Sequence, residues 1–371
     1  MHRWSVALLW KTEDYLIGPN TWHSRELKHD KRGLVVSAKD RRAKETTSTY
    51  DGAGRLLTRT DPVGNVATYA YDDNGNVTSI EEDEVVPSSS AQTFQTEFTY
   101  DVINRRLTQK VIDRTNGSNF KLTTWEYDSL NVPVVLTDPK GFETTSSHHG
   151  LGRVTQTSQA LASGAIVTQW QYDVHDNVIK LIDDNGSETV YAYDDLNRLE
   201  SKTYEDTETV VFDYDAEDNL IEITDQNGTV IEQEFDELNR MTDRLATLAT
   251  GVEGDDTESF EYDALNRLTE AQDDDSTAQM TYNSLSQMLT EVQGANPLST
   301  EAKTVTYTLD LEGNVTEIDY PSAFEAVRTI DDNNRVSAIE DGASNAIVDW
   351  SFCGAGHRTL TASFGNSTTT P

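Results

Sequence analysis

Aromatic and polar positions alternate along most of the chain. Aromatic residues stand two positions apart, as at Trp170 and Tyr172, and the residue between them is usually small or polar. Because residues two apart on a strand share a face, each pair predicts a β-strand with one aromatic face, expected to be buried, and one wet face. The segments that follow, such as 220–223, alternate less clearly. The first aromatic of a pair stands at nine positions: Tyr69, Phe98, Trp125, Trp170, Tyr191, Phe212, Phe260, Tyr307 and Trp350.

A short motif, Tyr-Asp-x-x-Asn/Gly-Arg-Leu, follows these strands and recurs fifteen times. Seven of the fourteen spacings between copies are 21 residues, and the others lie between 20 and 29. Such self-similarity is typical of a repeat architecture. The copies begin at His29, Tyr50, Tyr71, Tyr100, Tyr127, His148, Tyr172, Tyr193, Tyr214, Phe235, Tyr262, Tyr282, Leu309, Ile330 and Phe352.

The composition of the motif predicts a turn. Its second position is Asp in twelve of fifteen copies, and its fifth is Gly, Asn or Asp in fourteen. Asp accepts hydrogen bonds from backbone N–H groups further along a turn, and the fifth-position residues tolerate a left-handed backbone. Together they predict a hairpin loop built on a type I turn. The motif residues singled out as structural are Tyr50, Asp51, Gly54, Arg55, Tyr71, Asp72, Tyr100, Asp101, Asn104, Tyr127, Asp128, Tyr172, Asp173, Tyr193, Asp194, Asn197, Arg198, Tyr214, Asp215, Asn239, Arg240, Tyr262, Asp263, Asn266 and Arg267.

A second turn signal lies halfway through the repeat. Asp61-Pro62-Val63-Gly64 and three similar tetrapeptides each start eleven residues after a motif Tyr. One repeat is therefore two strands and two turns, and no helical periodicity is sustained between 29 and 365. We expect an all-β fold: a curved, antiparallel ribbon of tandem hairpins, forming a spiral or an open partial shell. Residues 1–28 are predicted as an atypical segment or degenerate repeat, 29–365 as the array, and 366–371 as a tail.

The charge is high and uneven. The formal net charge is -36, which argues against binding to nucleic acid or to anionic lipid. Residues 1–60 hold 12 basic and 7 acidic residues, a net of +5, so the remainder carries -41. An acidic, solvated surface explains this, and a salt-adapted source or a partner with a basic face are the alternatives.

Few other features of the sequence change this interpretation. One cysteine, Cys353, allows no intrachain disulfide and no cysteine-based zinc site, and is expected to be inert. No apolar run approaches the ~18 residues of a membrane span. Ser5–Trp10 is apolar but too short for a convincing signal peptide, and is expected to be a buried strand or the cut end of a longer protein.

Catalysis and metal binding compete with the structural interpretation at the acidic pairs. Asp72-Asp73 and Asp183-Asp184 offer paired carboxylates, and the oxygen-rich runs 72–76 and 183–186 raise the question of calcium. Such pairs recur with the repeat, whereas an active site is singular, and the spacing fits no EF-hand. His148-His149 is interpreted as a drifted Tyr-Asp. We assign no catalytic residue, metal ligand or cofactor.

The aromatic ladder and the motif Arg also have alternatives. The Arg is expected to pair with turn carboxylates or neighbouring carbonyls. The ladder could stack on sugar rings, but it lies on the face expected to be buried. Replacing Trp125 or Trp170 would remove glycan binding if this surface binds sugars.

These residues resemble the YD-repeat, or Rhs-repeat, family, over about 29–365. The family includes bacterial Rhs and wall-associated proteins and is similar to the C components of Tc toxins and to teneurins. The resemblance implies a β-sheet shell around a C-terminal toxic effector, secreted or at the cell surface. Neither the core segment nor the toxic tail of complete Rhs proteins is found before Pro371. The expected function is thus a non-catalytic shell segment whose partner is the rest of a larger polypeptide or a toxic cargo. The alternative is an adhesion module for cell-surface glycans or protein, and an acidic hydrolase is more remote.

Overall fold

The structure, a computed structural model, describes residues 8–15, 22–85, 92–113, 120–254, 256–295, 301–354, 358–364 and 367–369. Every regular element in these ranges is a strand, and the strands form one 32-stranded sheet. The prediction of an all-β antiparallel ribbon is therefore confirmed. In the described ranges, no helix is long and apolar enough to cross a membrane.

Two strands make up each repeat, as predicted. The strands are β1 Leu8–Tyr15, β2 Trp22–His29, β3 Val35–Lys39, β4 Glu45–Tyr50, β5 Leu56–Thr60, β6 Val66–Tyr71, β7 Val77–Glu84, β8 Gln92–Tyr100, β9 Arg106–Asp113, β10 Phe120–Tyr127, β11 Pro133–Thr137, β12 Glu143–His148, β13 Val154–Leu161, β14 Gly164–Tyr172, β15 Val178–Ile182 and β16 Glu188–Tyr193. They continue as β17 Leu199–Thr203, β18 Thr209–Tyr214, β19 Leu220–Thr224, β20 Val230–Phe235, β21 Met241–Thr247, β22 Thr257–Tyr262, β23 Leu268–Asp273, β24 Ser276–Tyr282, β25 Met288–Ala295, β26 Lys303–Leu309, β27 Val315–Asp319, β28 Glu325–Ile330, β29 Val336–Asp341, β30 Ala346–Cys353, β31 Arg358–Phe364 and β32 Ser367–Thr369.

Strands pair with their neighbours along the chain, and the register shifts at the motif, as four copies show. In the β16–β17 pair, Ala192 lies opposite Ser201 but Tyr193 lies opposite Leu199, so one residue of β17 is skipped. The same bulge precedes Tyr50, Tyr71 and Tyr214. A bulge beside the turn is what a type I turn followed by a left-handed residue produces in a hairpin.

The faces of the sheet are less buried than the sequence suggests. Strand β6 alternates as expected, with Tyr69 and Tyr71 more covered than Thr68 and Ala70. However, Tyr71 and the ladder aromatics are only half-buried, so the expectation of a buried aromatic face is wrong. Among the described residues, the buried hydrophobic side chains are Ile318, Ala326 and Val348.

The two ends of the chain extend the sheet. Strand β1 pairs antiparallel with β2, so the atypical segment 1–28 contributes two strands; 5–7 of its apolar run lies outside the described residues. Strand β32 pairs with β31, so part of the segment predicted as a tail is also a strand. Strand β19, where alternation was unclear, is half-buried along its whole length.

The chain divides into two compact units. Unit 1 comprises Met1–Leu122, Thr281–Glu291 and Thr304–Pro371, and unit 2 comprises Thr123–Met280 and Val292–Lys303. Unit 1 thus contains both the first and the last repeats, and unit 2 contains the seven motif copies that begin between 127 and 262.

Candidate functional site

The motif Asp organises each turn through its carboxylate. In the turn after β16, Asp194 Oδ1 accepts hydrogen bonds from the backbone N–H groups of Leu196 and Arg198, both at 2.9 Å. Its Oδ2 accepts from Arg198 Nε at 2.7 Å. The backbone of the turn closes through Asn197 N to Asp194 O at 3.0 Å. One carboxylate therefore satisfies three donors, which fixes the loop.

The fifth motif position adopts a left-handed backbone in every copy that the structure describes, as predicted. Gly54 has a φ of 88° and Asn197 a φ of 64°. The residues are Gly33, Gly54, Gly75, Asn104, Asn131, Gly152, Asp176, Asn197, Asp218, Asn239, Asn266, Ser286, Gly313 and Asn334. Gly356 lies outside the described residues. The second turn of the repeat has the same geometry, for example at Gly64 and Gly141.

The motif Tyr ties its own repeat to the preceding one. Tyr193 donates its hydroxyl proton to the carbonyl of Val178 at 2.9 Å, and Val178 is the seventh motif residue of the repeat before. Burial raises the pKa of Tyr193, so the hydroxyl keeps its proton across the neutral range. The same bond is made to the equivalent residue by Tyr50, Tyr71, Tyr100, Tyr172, Tyr214 and Tyr262. Tyr127 is half-buried at the end of β10.

The motif Arg ties its repeat to the following one. Arg198 donates to the carbonyl of Asp215 at 2.9 Å and lies 4.8 Å from the ring centre of Tyr214. Arg55 and Arg240 make the same two contacts in their own copies, to Asp72 and Tyr71 and to Asp263 and Tyr262. A cation over an aromatic face adds attraction to the hydrogen bond.

In other copies the sixth motif residue is Asn instead of Arg. Asn177 Nδ2 donates to Asp173 Oδ2 within its turn at 2.9 Å and to Asn197 Oδ1 of the next turn at 3.0 Å. Asn219 makes the same pair of bonds. The sixth position thus bridges adjacent turns with either side chain.

The bonds within the turn lower the pKa of the motif Asp. For Asp194 the main cause is the backbone hydrogen bond from Arg198, and for Asp263 it is the side-chain bond from Arg267. For Asp72 and Asp173 the main cause is the hydrogen bond from the side-chain amide of the Asn four residues later, Asn76 or Asn177. The carboxylates are therefore held in their charged form by their own loops.

In the acidic pairs weighed for catalysis or calcium, the first Asp is bonded within its own turn. Asp72 Oδ1 and Oδ2 accept bonds from Asn76, and Asp183 Oδ1 accepts from Asn185 and Ser187. These oxygens serve their own turns. Within the described residues, one group of three carboxylates comes close enough to hold an ion, Glu317, Asp319 and Glu325, with ligand atoms within 4.8 Å of one another. Proximity of the three carboxylates is the only observation that points to an ion there among the described residues, and the sequence analysis did not single them out.

The histidine pair fills the Tyr and Asp positions of one repeat. His149 Nδ1 accepts from the backbone N–H of Leu151 at 2.9 Å, the contact that the Asp makes elsewhere. Its ring meets that of Tyr172 edge-on, with centroids 6.0 Å apart. This geometry agrees with the interpretation of a drifted motif. The side chain of Cys353 lies outside what the structure describes.

In unit 1, turns of late repeats contact the basic beginning of the array. Arg25 pairs with Glu312 at 2.6 Å and Lys44 with Asp332 at 2.6 Å. These residues border a cleft of about 560 Å³.

Two further bonds reinforce this contact. Arg42 donates to the carbonyl of Asp331 at 2.7 Å, and Asn333 to Asp61 at 2.8 Å. Arg25 and Lys44, two of the basic residues that the charge count singled out, therefore have acidic partners within the same unit.

Sequence reasoning missed the fourth motif position. It is Leu at 130, 151, 196, 238, 265 and 285, where a turn would ordinarily carry a polar residue. Most of these side chains are exposed. An apolar residue recurring at a loop position was the signal that could have revealed this feature.

A family model describing the RHS repeat matches the sequence at residues 29–66, 50–83, 172–209 and 214–253. These ranges coincide with the motif copies described above. The chain carries RHS repeats. A comparison with curated proteins finds no match.

Solved structures of TcdB2-TccC3 and of a Tc holotoxin share this fold. The crystal structure of TcdB2-TccC3 without its hypervariable C-terminal region is similar with a TM-score of 0.60 and 14% identity over 92% of this chain. The Tc holotoxin pore of Photorhabdus luminescens, with a mutant TccC3, gives a TM-score of 0.61 and 15% identity over 92% of this chain. This chain spans only 23% and 22% of those chains.

Proposed function

We propose that this chain is a non-catalytic, structural segment of a shell that encloses or delivers a polypeptide effector. The observation that carries the proposal is the use of the motif side chains. Tyr193 reaches back to one repeat, Arg198 reaches forward to the next, and Asp194 holds the turn between them. Because these side chains bond each repeat to its neighbours, the repeats form a continuous wall.

The similar fold of the Tc toxin structures supports the same role. Those structures are of complexes named TcdB2-TccC3 and of a holotoxin pore, so the fold occurs within toxin assemblies. We propose that this chain's partners are the remainder of a larger Rhs-type polypeptide and its effector, and that the assembly is secreted or displayed at the cell surface.

A protection experiment tests the shell role. A protease-sensitive reporter is fused after Pro371, and its trypsin half-life is compared with that of the same reporter behind an unrelated β-sheet protein of similar size. Enclosure predicts a half-life at least ~10-fold longer in the first fusion, because cleavage then requires the wall to open. Equal half-lives would contradict the proposal.

The adhesion alternative rests on the half-burial of the ladder. Trp125 and Trp170 are half-buried, so part of each ring remains accessible. Glycan-array binding by the purified chain, lost in both Trp125→Ala and Trp170→Ala, would favour this function over enclosure.

A further inference from the structure

One motif copy in unit 2 carries a histidine pair where most other copies carry Tyr-Asp. His148 ends β12, and His149 opens the turn that leads into β13. The turn keeps the backbone closure of the other copies, with Gly152 N donating to His149 O at 2.8 Å. The path of the loop is therefore preserved, and what differs is the chemistry of two side chains.

The imidazole of His149 satisfies fewer donors than a motif carboxylate does. Its Nδ1 accepts from the backbone N–H of Leu151 at 2.9 Å, and its Nε2 is contacted by the Nε donor of Arg153. A neutral imidazole has one acceptor nitrogen, since the other carries a proton, and an imidazolium has none. Asp194 accepts three hydrogen bonds in the equivalent turn. The side chain of His149 can thus hold its turn through one acceptor, and only while the ring is neutral.

Arg153 places a permanent positive charge beside this ring. Its guanidinium donates to the carbonyl of Asp173 at 3.1 Å, pairs with the carboxylate of Asp176 and lies 4.9 Å from the ring centre of Tyr172. These contacts tie the repeat to the following one. A proton on His149 puts a second cation against the guanidinium, and like charges in contact repel each other. Protonation therefore weakens both the turn and its link to the next repeat.

The other ionisable groups around His149 are engaged elsewhere. Those of its own turn and of the turns on either side are Asp128, His148, Arg153, Tyr172, Asp173 and Asp176, with His175 exposed at the tip of the following turn. Asp128 and Asp173 accept backbone N–H groups of their own loops, and Asp176 pairs with Arg153. Tyr172 donates its hydroxyl proton to a backbone carbonyl at 2.8 Å. The charged group in hydrogen-bond contact with the ring is the Arg153 guanidinium.

His148 occupies the position from which a motif Tyr reaches the preceding repeat. Elsewhere that bond runs from the Tyr hydroxyl to a carbonyl, as from Tyr193 to Val178. The Nδ1 atom of His148 is buried, and no group in the described part of the chain forms a hydrogen bond with it. An unpaired buried nitrogen costs free energy instead of joining two repeats. This repeat therefore depends more than the Tyr-Asp copies on the contacts of His149 and Arg153.

We propose that the turn 148–153 is an acid-sensitive junction between repeats, which loosens when His149 takes up a proton. Histidine is the side chain whose charge ordinarily changes between about pH 5 and pH 8. The hydrogen bond to Leu151 is present while the ring is neutral, so its contribution is lost as the pH falls through that range. Carboxylates take up protons nearer pH ~4, so mild acid loosens this turn before the Asp turns.

Hydrogen exchange of the full chain, resolved at single amides, tests the proposal. The Leu151 amide is expected to exchange at least ~10-fold faster at about pH 5.5 than at about pH 7.5, after correction for intrinsic rates. The Leu196 amide is the internal reference, because it makes the same bond to Asp194 at the same 2.9 Å. Its corrected rate should change less than ~2-fold over that interval.

Two variants assign the response to one ring. His149→Asp restores the carboxylate of the other copies and is expected to abolish the difference between the two pH values at Leu151. His175→Gln removes an exposed histidine from the following turn and should leave that difference intact.

Three results would each overturn the proposal. They are a Leu151 amide that behaves like that of Leu196, a response that persists in His149→Asp, and a response that disappears in His175→Gln. None of them bears on the reporter-protection experiment, so this inference and the shell function fail separately.

Discussion

At the residue scale, each side chain of the motif has a distinct role. Tyr193 serves the preceding repeat and Arg198 the following one, whereas Asp194 serves its own turn. Few of the described side chains are buried, so these polar bonds between repeats contribute an unusually large share of the stability of the fold.

Removing one hydroxyl measures how much such a bond contributes to the stability of the fold. Tyr193→Phe deletes the bond to the Val178 carbonyl and is expected to lower the free energy of unfolding by about 1 kcal/mol in urea denaturation. Tyr191→Phe is the matched control, two residues earlier on the same face of β16 and also half-buried. Equal losses from both variants would show that ring packing, and not the hydroxyl bond, matters at Tyr193.

The left-handed position can be tested with two glycines that differ in φ. Gly75 has a φ of 88° and Gly52 does not have a positive φ, and an added Cβ would meet nothing within 4 Å at either. Gly75→Ala is expected to destabilise by about 1–2 kcal/mol through backbone strain alone. Gly52→Ala should be neutral or slightly stabilising, since it only restricts the unfolded chain. A similar loss at both sites in thermal unfolding would contradict this reasoning.

At the element scale, each hairpin turn is organised by a charged carboxylate, and this arrangement repeats along the chain. The pKa of the turn carboxylates, including Asp72, Asp194 and Asp263, is lowered by hydrogen bonds from the loop. A carboxyl with a lower pKa in the folded state stabilises the fold above its unfolded pKa of about 3.9. That stability is lost as the pH falls through the folded values.

The turns should therefore loosen together below about pH 4. Hydrogen exchange is expected to become faster at the Arg198 amide as the pH is lowered, after correction for intrinsic rates. The turn at Asn283 is an internal control, since its Oδ1 accepts from Leu285 and Gln287 without a titrating group. If relief of the -36 charge governed stability instead, protection would keep increasing towards the pI of about 4.3 at both turns.

At the scale of the whole molecule, the uneven charge produces ion pairs within unit 1. The basic beginning of the array meets acidic turns nearly 300 residues later, through Arg25 with Glu312 and Lys44 with Asp332. Both cations therefore have acidic partners within unit 1.

A charge swap tests this contact. Lys44 and Asp332 are 35% and 45% exposed, so their coupling is expected to be only about 0.2–1 kcal/mol and to weaken with salt. Lys44→Asp should increase hydrogen exchange in the turn at 331–335, and adding Asp332→Lys should restore protection. Lys121→Glu, an exposed lysine of unit 1 outside this contact, is the control. A double variant as labile as the single one would show that the pair does not couple the two turns.

The sequence alone determined the local structure, because turn chemistry and two-residue alternation are encoded within a few neighbouring residues. The positive φ at Asn197, the bonds accepted by Asp194 and the two strands per repeat were all readable from the motif. Only the tertiary structure decided which residues meet across repeats and across hundreds of positions. The hydroxyl of Tyr193 on Val178, the pairing of Arg25 with Glu312 and the half-exposed ladder depend on how strands stack and on what covers them, and no local pattern specifies either.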